Sequence, residues 1–337
     1  MITVQHITDY LSTHVTDPVQ KYILVKEIYN RGPSSPEYVN AYNDLKQSKW
    51  YRELADDQLD NGSWGSYHGG AKKTQKGFKF GGTEPALRRA RELSLTKDDP
   101  IIAKALRIMV KYATREIPYP DGIEKGKDKG KGRYYTIPFE IAASINVFDP
   151  DNPVVQPLQN VIVENYKAAF TCGGFDLGIY HQAVREYRAP GMFEPGNPFD
   201  IYLVQNGDCL GDTLQRQYLD FIWSGKARNV YVTSIAPTAL QHLENKAFIP
   251  WLVKLEILSP LTLFPEFIKD SVLPHLLNEC DRLIYDDVVL PNSPSGHGTT
   301  CSHTVNGRYA ENWRDISKRK TDMILRIARI LVKTGEQ

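Results

Sequence analysis

The chain has no surplus of charge. Lys and Arg number 41 against 40 Asp and Glu, a formal net charge of +1 with His neutral. A protein that neutralises phosphates draws on an excess of cations, so nucleic acid is excluded as the main partner. Long hydrophobic runs are also missing. The apolar stretches are broken by charge or proline, as at Trp251-Leu252-Val253-Lys254, and none reaches the roughly 20 residues of a membrane span. No secretory leader is evident: Met1–His6 is not basic and no apolar segment follows it. Cysteine is scarce, and the four (Cys172, Cys209, Cys280, Cys301) stand far apart. Without a leader they read as reduced thiols, and the expected location is the cytoplasm. Strand-like alternation is nearly absent, with Tyr231-Val232-Thr233 and Asp287-Val288-Val289-Leu290 as short exceptions.

What is present is ordinary globular material, 41% hydrophobic and 24% charged over 337 residues. The 19 Tyr and 5 Trp suit an aromatic-lined cavity, although most read as core and surface packing. Helices dominate. Pro100 follows Asp98-Asp99, a helix start, and Ile102, Leu106, Met109 and Ala113 make one apolar face. Pro153 opens another with Val155, Leu158, Ile162 and Tyr166. Met323, Ile324, Ile327, Ile330 and Leu331 form a third stripe, with Arg319, Arg326 and Arg329 beside it and Gly335 as the stop. The class is all-α. An internal repeat is visible: Pro85 and Pro138, and likewise Pro100 and Pro153, are offset by 53 residues. Pro250 and Pro265 repeat the Pro-to-Pro step within the unit. A helix–turn–helix unit cannot bury both faces alone, so stacked units close as a toroid or stay open as a solenoid. Residues 1–48 read as an N-terminal helical segment, and Glu116–Arg133 and 286–312 as long loops.

The most telling stretch is Gln58-Leu59-Asp60-Asn61-Gly62-Ser63-Trp64-Gly65, after the helix-like run Trp50–Ala55. Asn61-Gly62 is a turn dipeptide. Trp64 needs a dry place for its ring and a partner for its N–H. Gln58 can supply that partner or cap exposed backbone at helix ends. The stretch resembles the QW motif of the terpenoid cyclase and protein prenyltransferase superfamily. Asp17-Pro18 opening a helix, this turn, and Thr83-Glu84-Pro85-Ala86-Leu87 leading to Asp98-Asp99-Pro100, in that order, are similar to bacterial squalene-cyclase-like or prenyltransferase-like proteins, over residues about 15–170. The resemblance implies a single α/α toroid over 1–337 with a central cavity that takes a small-molecule ligand.

The superfamily's chemistries leave uneven traces. Protonating cyclases carry Asp-x-Asp-Asp; here Asp149-Pro150-Asp151-Asn152 lacks the last carboxylate and reads as helix capping. The zinc pattern of prenyltransferases fails, because Asp208 and Cys209 are adjacent and Asp176…His181 precedes them. Asp56-Asp57-Gln58-Leu59-Asp60 matches the Asp-Asp-x-x-Asp that holds Mg2+ to a diphosphate, so Asp56, Asp57 and Asp60 are candidate metal ligands. No second metal motif follows, and the same residues serve the turn.

Other constellations bear on chemistry. Gly296–His303 packs His297, Cys301 and His303 into a Gly-rich segment, either a metal or nucleophile site with His303 as a catalytic candidate, or a polar loop. Asp176, His181 and Glu186, near Tyr180 and Tyr187, are candidate acid/base groups; the alternative is a turn at Gly173-Gly174 followed by a packing face. Lys125, Lys127, Lys129, Lys131 and Arg133 alternate with Gly and Asp, as a basic loop closing on an anion or as a solvated loop. Their place in the repeats nominates Trp64, Tyr67, His68, Glu84, Glu140, Tyr180 and Trp313 as pocket-lining, substrate-binding residues. The leading expectation is a protein binding an isoprenoid-like or other apolar molecule, with a cyclase- or transferase-like enzyme as its catalytic form. The alternatives are a carbohydrate-active lyase or hydrolase, since helical toroids also host those reactions, and a non-catalytic binding or scaffold protein.

Overall fold

A computed structural model of the chain describes residues 2–68, 80–119, 133–171, 174–186, 194–206, 208–226, 235–291 and 308–335. In chain order the helices are α1 (Val4–His14), α2 (Pro18–Ile23), a π-helical turn (Leu24–Ile28), α3 (Pro36–Gln47), α4 (Lys49–Asp57), α5 (Thr83–Glu92), α6 (Pro100–Ala113), α7 (Arg133–Phe148) and α8 (Val155–Ala169). A two-stranded ribbon follows, β1 (Phe170–Thr171) and β2 (Gly174–Phe175), pairing antiparallel with Phe170 opposite Phe175. Then come α9 (Leu177–Glu186), α10 (Pro198–Val204), α11 (Gly211–Trp223), α12 (Phe248–Leu258), α13 (Phe264–Ile268), α14 (Val272–Tyr285) and α15 (Ile316–Lys333). The protein is all-α, and no helix among the described residues is long and apolar enough to cross a membrane. Asp287–Leu290 is not a strand. Tyr231–Thr233 lies outside the described residues.

Contacts divide the chain into two compact units, Met1–Arg52 with Ile235–Gln337, and Glu53–Ser234. In the first unit α15 is the central element and packs against α1, α2, the π turn, α12 and α14. Its apolar stripe is buried as the 3.6-residue period requires, and Arg319, Asp322 and Arg326 are buried with it. Asp17 opens α2 by accepting from the Val19 N–H, and its other oxygen takes the Glu311 N–H at 3.0 Å. Pro250 and Pro265 each sit in the first turn of their helix, where a missing N–H costs nothing.

In the second unit α7 is central, against α5, α6, α8 and α10. Ile137, Phe139, Ile141, Ala142, Ala143 and Ile145 are buried along it. Asn146 at its end donates to the carbonyls of Tyr202 and Leu203, and Gln159 donates to that of Leu203. Those are terminal carbonyls of α10 that no helical N–H can reach. The repeat has a geometric counterpart. Asp99 and Asn152, in equivalent turns, each accept from the backbone N–H two residues on. Lys97 of one turn pairs with Asp149 of the other at 2.8 Å, so the Asp149–Asn152 segment is spent on capping and cross-turn pairing.

Candidate functional site

The site grows from the Gln58–Trp64 turn. Gly62 is at φ +96, and a Cβ there would meet the Lys104 carbonyl oxygen at 2.3 Å, so the position admits only glycine. Trp64 is 1% exposed and its Nε1–H donates to the Leu54 carbonyl at 2.9 Å, one of the unpaired carbonyls at the end of α4. Gln58 caps instead, donating to the carbonyls of Gly62 and of Ile101 in α6. Trp64 is therefore part of the turn's foundation. Beyond it, the Thr83 and Glu84 N–H groups donate to the carbonyls of Ser66 and Tyr67. Gly82 lies so close that a Cβ would meet the Ser66 and His68 carbonyls at 2.9 and 3.0 Å. The start of α5 is thus sewn onto the segment that carries Tyr67 and His68.

This brings four of the predicted residues together. His68 sits between two carboxylates, with Nδ1 3.3 Å from Glu84 Oε2 and Nε2 3.1 Å from Glu140 Oε2. Glu84 is in the first turn of α5 and is also 3.2 Å from Arg88, one turn on. Glu140 lies on α7 with a side chain only 5% exposed, whereas His68 is 29% exposed. Burial alone would push the imidazole pKa down. The hydrogen bonds to Glu140 and Glu84, and then their charges, reverse this and carry it up to about 10. His68 is consequently an imidazolium at neutral pH, with both N–H groups facing carboxylates. The Tyr67 hydroxyl donates to the Glu140 backbone carbonyl at 2.9 Å and lies 2.8 Å from Ser144 Oγ. Burial, with the nearby Glu84 and Glu140 charges, holds Tyr67 as the neutral phenol. The rings of Tyr67 and Tyr119 stand 5.2 and 6.4 Å from the His68 ring, and Tyr112 continues the aromatic row beyond Tyr119.

Among the described residues, no hydrogen bond, ion pair or ring contact links Asp176, Tyr180, His181 or Glu186 to this cluster. Asp176 caps α9 by accepting from the Ile179 N–H, and His181 and Glu186 are exposed on the same helix. Tyr180 is fully buried beside Tyr166 and Phe175. Trp313 is 5% exposed and belongs to the unit containing α15. Among the described residues, the group of three ligand-type side chains with atoms within 4.8 Å of one another is not Asp56, Asp57 and Asp60 but a set in the unit containing α15. His297, Cys301, His303, Cys172, Gly173, Tyr187 and the Lys125–Lys131 stretch lie outside the described residues.

Sequence reasoning missed a buried carboxylate near Tyr180. Asp200 accepts from the hydroxyls of Tyr166 and Tyr218 and from the Gly196 N–H. Burial pushes its pKa up to about 7 against the lowering effect of those bonds. The one local signal, Asn197-Pro198 opening α10, places Asp200 in a first helical turn but says nothing of the two tyrosines. Arg88 and Tyr119 were missed as well, since their only link to His68 is spatial. In comparisons with known proteins, no family model, curated protein or solved structure matches the chain.

Proposed function

We propose that the His68 cluster binds a hydroxyl-rich, carbohydrate-like small molecule, with Glu84 and Glu140 as its acid/base pair in a lyase- or hydrolase-type reaction. The observation that carries this reading is the placement of two carboxylates on opposite nitrogens of one imidazole. That arrangement keeps them no more than about 9 Å apart, within the roughly 5–10 Å over which carboxylate pairs serve glycoside cleavage. The partly exposed, tyrosine-flanked and charged character of the cluster suits sugar hydroxyls better than an isoprenoid tail. His68 keeps its proton at neutral pH, so its role is a fixed cation that spaces and orients the carboxylates; the carboxylates exchange protons with the substrate. The fold reading that accompanies this is an α/α toroid of stacked helix pairs, supported by the matching turns joined through Lys97 and Asp149.

An isoprenoid ligand remains the competing reading because of the Gln58–Trp64 turn. A melting-temperature panel separates the two. Neutral and acidic oligosaccharides are expected to raise the melting temperature of the native chain and to lose that effect in Glu140→Gln. A shift that requires both a prenyl diphosphate and Mg2+, with none from any glycan, would replace the carbohydrate reading with the isoprenoid one.

A further inference from the structure

A second cluster, in the unit built on α15, has no part in the His68 site. A ring nitrogen of His242, a ring nitrogen of His275 and a carboxylate oxygen of Glu279 all lie within 4.8 Å of one another. His275 and Glu279 are four residues apart on α14 and so share one face of it. His242 comes from the turn that precedes α12. We propose that His242, His275 and Glu279 form a binding site for a first-row divalent cation, with Zn2+ favoured by the ligand types.

The chemistry of the donors argues for this. Two imidazoles and one carboxylate are a borderline nitrogen–oxygen set that suits Zn2+ and its neighbours rather than Mg2+ or Ca2+, which prefer all-oxygen shells. Three protein ligands leave a fourth tetrahedral position for water. Ligands around a tetrahedral Zn2+ stand about 3.3 Å apart at bond lengths near 2.0–2.1 Å. His242 Nδ1 and Glu279 Oε1 are already 2.9 Å apart. The separations that involve His275 are no more than 4.8 Å, and the His242 side chain is 64% exposed.

The surroundings are organised to hold the ligands. Glu279 is fully buried. Its Oε2 accepts from the Leu243 N–H at 3.2 Å and from Arg282 at 2.8 Å, leaving Oε1 directed at His242. Outer contacts of this kind orient a metal-binding carboxylate. His275 Nε2 lies 2.6 Å from the Gln241 carbonyl, and its ring packs edge-on to Trp251, whose own N–H is tied to the Pro237 carbonyl. The rings of His242 and His275 are 5.0 Å apart at 81°. Without a cation the His242–Glu279 hydrogen bond satisfies the carboxylate.

The test uses the full chain, stripped with a chelator and titrated calorimetrically with Zn2+, then with Co2+ while visible absorption is followed. The expected result is one equivalent of Zn2+ bound, the intense visible bands of tetrahedral Co2+, and at least about a 10–100-fold loss of affinity in both His242→Ala and His275→Gln. His242 is exposed, so its variant tests the ligand set without threatening the fold; far-UV circular dichroism checks the His275 variant. A His68→Gln control should bind as the native chain does. Absence of stoichiometric Zn2+ binding, or binding that His242→Ala leaves unchanged, would overturn the proposal.

Discussion

Each unit holds a cation between two glutamates brought from distant elements, and the two arrangements differ in the cation. In Glu53–Ser234 it is His68, between Glu84 and Glu140. In the other unit it is Arg329, paired with both oxygens of Glu27 at 2.7 and 2.8 Å and lying 3.7 Å from Glu256. Arg326 joins that second group, bonding Glu256 at 2.5 Å and stacking 4.0 Å from the centre of the Tyr309 ring. A guanidinium does not release its proton, and the Arg329 side chain is 12% exposed. The arginine group therefore staples α15 to its neighbours and has no proton to exchange. The imidazolium is more exposed and loses its proton only as pH rises toward about 10, so there the same geometry carries a charge that alkaline pH removes.

The sharpest ways to break this comparison are the largest in effect. Glu256→Gln leaves two largely buried guanidinium groups short of a carboxylate, and a loss of about 3–5 kcal/mol is expected in urea unfolding; a loss below about 1 kcal/mol would mean the group is not a staple. Trp64→Ala removes the base of the turn that presents His68 and should also cost about 3–5 kcal/mol. If that variant is fully stable, the turn does not rest on the indole.

The pH predictions separate the two cations. His68 has a folded pKa of about 10 against 6.5. Its stabilising contribution is therefore complete below about 6.5 and disappears as pH rises through about 10. The gap in melting temperature between the native chain and His68→Gln should narrow from pH 7 to 10. The gap for Glu256→Gln should not narrow in the same way, because arginine keeps its charge. A constant His68 gap would show that the imidazole is not held by the carboxylates.

Buried acids give an effect of the same sign at lower pH. Asp200 and Asp322 are each raised to about 7 from 3.8, mainly by burial. A folded state that holds the proton more tightly loses stability as pH rises between those values. Asp200→Asn should flatten the fall in melting temperature between pH 4.5 and 7.5, and an unchanged slope would remove Asp200 as its source. The smallest effect belongs to Lys97→Ala, where an exposed lysine meets Asp149; no measurable loss is expected, and a clear one would mark the turn-to-turn contact as more than a surface pair.

The sequence alone carried the local physics. Asp99-Pro100 and Asp17-Pro18 open helices as their capping oxygens dictate. Gly335, at φ +75, follows the end of α15, and Gly62 admits the turn that Trp64 needs. Repeat position also nominated Tyr67, His68, Glu84 and Glu140, which the structure gathers into one cluster. It did not separate them from Trp64, which supports the turn, or from Trp313 in the other unit. Arg319 and Arg326 read as flanking the α15 stripe, yet they are buried.

Capping, turns and periodicity are settled within a few residues, where the chain's own geometry limits the choices. The partners of buried charges are not. Glu84 is 16 residues from His68, and Glu27 is 302 from Arg329. A buried charge must be paired wherever the partner comes from along the chain. Which glutamate meets which cation, and how far water reaches each pair, was decided only when the helices packed.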